Sequence, residues 1–76
     1  MRTNLQEFYD SVERFAGKLQ RSGHEGWSMQ MKRALFGSTS GEILNDLDCL
    51  LHSIEKETKD SSLASECRSL LRSLPA

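Results

Sequence analysis

Cys49 and His52 stand three residues apart in a stretch with helical periodicity, so they share one face, and Asp48 lies beside them. A thiol, an imidazole and a carboxylate are the ingredients of nucleophilic catalysis. The base takes the thiol proton and the acid orients the base. The same Cys–His pair has the spacing to chelate a metal. A structural zinc site needs four ligands, however, usually in paired short spacings. The remaining candidates, His24 and Cys67, are unpaired, and Cys67 falls on an apolar stripe where a free thiol behaves as a small hydrophobe. A chain of 76 residues also has little room for a cleft that excludes water. The sequence therefore offers no catalytic, metal or cofactor residue, and its reading is that of a protein that is not an enzyme.

The loop Gly37-Ser38-Thr39-Ser40-Gly41 could cradle an anion at a helix N-terminus. Phosphate loops of the usual kind follow a strand and carry a Lys next to Ser or Thr. This loop follows a helical stretch, and Glu42 brings negative charge to the same place. Thr39 and Glu42 instead have capping-box spacing, which predicts the start of a helix.

A helix-turn-helix through residues 25–57 is tolerable in length but wrong in charge. Its reading helix would present Glu42, Asn45, Asp46 and Asp48 to phosphates. Residues 1–37 carry +2, residues 38–60 carry −4 and residues 61–76 carry +1. Nucleic acid is a disfavoured partner on these grounds, and the total of −1 gives no general pull towards anionic membranes.

The most informative feature is in the second helical stretch. Trp27, Met31, Ala34 and Leu35 share one face. Met29 and Phe36 are seven residues apart on the opposite face, flanked by Lys32 and Arg33. A helix apolar on both sides is either buried on both sides or exposes an interaction patch. Methionine and phenylalanine beside arginine is a composition common in interface cores. Met29, Lys32, Arg33 and Phe36 are therefore the expected partner surface. Glu42, Asp46 and Asp48 form a second, acidic candidate for a basic partner.

The elements that position these residues follow from periodicity. Leu5, Phe8, Tyr9, Val12, Phe15, Ala16 and Leu19 recur at steps of one, three and four, which predicts a helix burying one face. Thr3 or Asn4 can cap it, Asn4 with Glu7 has the spacing of a capping box, and Gly23 can end the helix in a left-handed conformation. Gly17 falls inside it on the outward face, where it costs about 1 kcal/mol relative to Ala. Nothing in the sequence accounts for it. Ile43, Leu44, Leu47, Leu50, Leu51 and Ile54 mark a third helix. Leu63, Ala64, Cys67, Leu70, Leu71 and Leu74 mark a fourth, which begins near Ser61 or Ser62 and is ended by Pro75. No stretch alternates with period two, so a sheet is not expected.

The sequence thus predicts an all-α fold: a single domain over 1–76, built as a small bundle of about four antiparallel amphipathic helices at approximately 4–22, 25–36, 40–57 and 61–73. No apolar run approaches the roughly 20 residues that cross a bilayer. The N-terminal residues have no signal-peptide pattern, and two cysteines on different kinds of face suggest no disulfide framework. A cytoplasmic location is the resulting expectation. The expected function is that of a small non-catalytic module for protein–protein interaction, built on the general plan of adaptors, immunity proteins or antitoxins, an analogy of build alone. Its partner is another protein or a second copy in a homodimer. A homodimer that serves only to stabilise the fold is the first alternative, and a nucleic-acid-associated regulator the second.

Overall fold

Side-chain caps set the starts of two of the helices, and a glycine follows the end of the first. The structure, a computed structural model, describes residues 5–74. Along them run α1 (Leu5–Arg21), α2 (Glu25–Ala34), α3 (Ser40–Glu57) and α4 (Ser61–Arg72), with no strand among the described residues. The all-α bundle expected from periodicity is the fold. Thr3, Asn4 and Pro75, assigned above to helix ends, lie outside the described residues.

Gly23 ends α1 as expected, with φ of 86°. The His24 amide donates to the Leu19 carbonyl at 2.8 Å and the Gly23 amide to Gln20 at 3.2 Å. These two bonds satisfy carbonyls that the last turn would otherwise leave open. Thr39 caps α3 by accepting the Glu42 amide at 3.2 Å on Oγ1. The cap of α4 is Asp60, immediately before Ser61. Its Oδ1 accepts from the amides of Ser62 at 2.8 Å and Leu63 at 3.4 Å. A carboxylate there also favours the positive end of the helix dipole.

Three ends differ from the expected limits. α1 stops at Arg21 rather than 22, and α4 at Arg72 rather than 73. The third difference matters more: α2 stops at Ala34, so Leu35 and Phe36 belong to a turn. Here Phe36 donates to Arg33 at 3.0 Å and Gly37 to Ala34 at 3.2 Å, bonds of the tighter three-residue kind. The turn brings Gly37 onto Ile43 at the start of the next helix.

The connections 22–24, 35–39 and 58–60 are short, so successive helices double back. α1 packs on α2 and α3 on α4. Contacts of α2 with α3, and slimmer ones of α1 with α4, close the bundle. The molecule measures 29 × 26 × 18 Å, and the short dimension is that of two helix layers about 10 Å apart. One core runs through it, with Phe8, Val12, Phe15 and Leu19 from α1, Met31 from α2, Leu47, Leu51 and Ile54 from α3, and Leu63 and Cys67 from α4. Leu44, Leu50 and Leu71 flank it half-buried. Ser28 is also buried, at 2% exposure, between the turns that carry His24 and Met31. Its steps of three to Met31 and seven to Leu35 place it on the buried face, a signal that its polarity hid.

Gly17 is half-buried in α1, and a Cβ built there meets Arg21 Nη1 at an ordinary 3.7 Å. Nothing in the packing requires glycine. Gly17→Ala is expected to stabilise the fold by about 1 kcal/mol, raising Tm by roughly 4–8 °C. An unchanged or lowered Tm in a thermal melt would show that the backbone at this position needs the freedom of glycine.

Candidate functional site

The residues with the richest chemistry do not assemble into a reactive site. Asp48 Oδ1 lies 3.3 Å from His52 Nε2, one helical turn along α3, with His52 largely exposed and Asp48 half-buried. Cys49 is exposed beside them. This is a solvated helix face, with no second element over it among the described residues. Among the described residues, no three of His, Cys, Asp and Glu come together to hold a metal ion.

The second thiol is held differently. Cys67 is wholly buried. Desolvation, aided by the negative charges of Glu55 and Glu66, pushes it from 9.0 up to about 11. The folded chain thus holds this proton more tightly than the unfolded chain does. The stability linked to it is complete below pH 9.0 and is lost as pH rises through about 11. Two results are expected. At about pH 8 an alkylating reagent modifies Cys49 alone in the native protein and both thiols in urea. Between about pH 9 and 11 the urea midpoint falls more steeply for wild type than for Cys67→Ala. Rapid native labelling of Cys67 would contradict the buried placement.

The predicted partner surface is where the structure departs from the pattern of a closed bundle. Among the described residues, Met29 and Phe36 are the large hydrophobics left exposed, at 60% and 87%. The fold buries neither. Lys32 and Arg33 are exposed between them, and Lys32 Nζ donates to Gln20 Oε1 across α1 and α2 at 3.3 Å. The turn that ends α2 carries Phe36 off the helix and sets it at the rim of a groove between α1 and α2.

That groove has a volume of about 570 Å³. Gln6, Tyr9, Glu13 and Gly17 form its α1 wall, at steps of three and four. Lys32, Leu35 and Phe36 form the other wall. Gly17 contributes no side chain to that wall. The Tyr9 hydroxyl is shielded from solvent and has no hydrogen-bond partner among the described residues. A buried, unsatisfied hydroxyl costs about 1–3 kcal/mol. The sequence reading found Phe36 and Lys32 but not the α1 wall. The signal was present in Gln6, Tyr9, Glu13 and Gly17, one helical stripe with an unexplained glycine.

A second groove, about 940 Å³ and more open, lies between α1 and α4. Arg14, Lys18 and Arg21 line it, but so do Asp10, Glu13 and Glu66. Lys18 is committed to α4, 2.9 Å from Glu66 Oε2 and donating to Ser62 Oγ at 3.3 Å. Its charges cancel, so it has no preference for an anion. The acidic candidate surface divides. Glu42 and Asp46 are exposed one turn apart on α3. Asp48, two residues further, is turned about 200° around the helix and is half-buried beside His52. The three carboxylates do not form one patch. No described helix is long and apolar enough to cross a membrane.

Comparison with protein-family models, curated proteins and solved structures finds no match to this chain.

Proposed function

We propose that this chain is a non-catalytic helical interaction module whose working surface is Met29, Lys32 and Arg33 of α2 and Phe36 of the turn that follows it, with the adjoining groove on α1. The observation that carries this reading is Phe36. A phenylalanine 87% exposed at the rim of an apolar groove leaves hydrophobic surface in water that a small domain needs to bury. Each such side chain gains about 1.5–3 kcal/mol when fully covered. Lys32 and Arg33 around it give the polar rim of a protein-binding patch, and the scattered carboxylates of α3 leave no continuous basic track for nucleic acid.

The test is the paired change Met29→Ser and Phe36→Ser. Both side chains are exposed, so the circular dichroism spectrum and Tm are expected to stay close to wild type. Self-association and the set of bound proteins are expected to change, with bound species weakened about tenfold or more. If both are unaltered in a folded variant, this surface is not the working one. A nucleic-acid role would instead require binding that weakens steeply as salt is raised.

A further inference from the structure

The α1–α2 groove carries both halves of a complementary contact. Phe36 projects from its rim, and the space over Tyr9 and Gly17 is hollow. Glu13 stands on the α1 wall and Lys32 on the α2 wall. Among the described residues Glu13 makes no ion pair, and Lys32 bonds to the neutral Gln20 and to no carboxylate. A two-fold contact between identical chains requires such a surface, because each patch must fit its own copy. With the two-fold axis running along the groove, α1 of each copy lies over α2 of the other. α1 and α2 run antiparallel, so the turn after α2 that bears Phe36 lies beside the α1 half that bears Tyr9.

We propose, resting on the reading of this face as a docking surface, that the occupant of the groove is a second copy of the chain. In this two-fold dimer Phe36 of each copy covers Tyr9 of the other, and Glu13 and Lys32 form reciprocal ion pairs. Self-pairing brings an aromatic ring and a cation to a groove that one copy supplies with an aromatic ring and a carboxylate. A stable contact takes about 800 Å² from each partner. That is roughly 15% of the 5172 Å² surface of the chain.

The experiment is light scattering on the size-exclusion peak of the full chain, from about 1 µM to about 1 mM, in low salt. The expected mass rises to twice the 8.6 kDa of one chain. Phe36→Ser is expected to raise the dissociation constant about tenfold or more. Glu13→Lys alone and Lys32→Glu alone each place like charges together and weaken the dimer. Combining the two recovers the wild-type constant, because each copy again offers one charge of each sign. Circular dichroism confirms that every variant is folded. A wild-type monomer across the range overturns the dimer, and the docking surface is then judged by the proteins that the paired Ser variant fails to bind. A dimer indifferent to Phe36→Ser and to both reversals overturns this interface. A dimer weakened by each reversal but not recovered by the combination overturns the reciprocal pairing.

Discussion

Leu51→Ala is expected to cost roughly 2–5 kcal/mol, which approaches the whole stability of a domain this small, about 4–11 kcal/mol. Leu51 is fully buried on α3, in the stripe Ile43, Leu47, Leu51 and Ile54. That stripe touches both neighbours: α3 packs on α4 and on α2. The loss combines the transfer free energy of the removed carbons with the cavity left behind, which neighbouring helices fill only in part. Urea unfolding should show the midpoint fall by about 1 M or more, with little change in slope. Ser53→Ala, on the exposed side of the same helix, is the control and should stay within about 0.5 kcal/mol of wild type. A Leu51→Ala protein that melts with wild type would refute the register of α3.

Gly37→Ala has the second-largest expected effect, a loss of about 1–3 kcal/mol. A Cβ at Gly37 would stand 2.9 Å from Ile43 Cγ1 and 3.5 Å from the Ala34 carbonyl oxygen. Ile43 is β-branched and buried, so it has few rotamers into which it can retreat. The glycine is there for closeness, since among the described glycines only Gly23 has a positive φ. A double-mutant cycle separates the clash from general weakening. Ile43→Ala removes the opposing atom, so Gly37→Ala in that background should cost clearly less than in wild type. Strict additivity would show that the two residues do not press on one another.

Gly17, Gly23 and Gly37 mark the boundary between what the sequence says and what packing adds. Gly23 follows a long apolar stripe, so its capping role was legible, and the left-handed φ of 86° agrees. Gly17 was legible only as an oddity. The structure makes it a gap in the wall of a groove formed with α2, a relation that exists only once two helices are packed. Gly37 was legible as the start of the loop after the second helical stretch, which is half of its role. Its close approach to Ile43, at the start of the next helix, is the other half. In the same way Asp60 has the chemistry of a cap, but it follows the charged run Glu57-Thr58-Lys59, and chain order alone does not say which helix a charged residue serves.

By itself the sequence determined the helical class, the number of helices and nearly all of the core. Local physics suffices for those, because a 3.6-residue repeat of Leu, Ile and Phe assigns the buried face of each helix without reference to its neighbours. The sequence also singled out Met29 and Phe36, and left open whether the fold would cover them. Only the tertiary structure decided that. Exposure depends on which helix stands opposite, and the α1–α2 pairing leaves Phe36 at a rim rather than in an interior. Tertiary structure likewise brought Tyr9, Glu13 and Gly17 up to Lys32 and Phe36, residues at least 15 positions apart in the chain. No local pattern encodes such a meeting, since it is fixed by the angle and register at which two packed helices interlock.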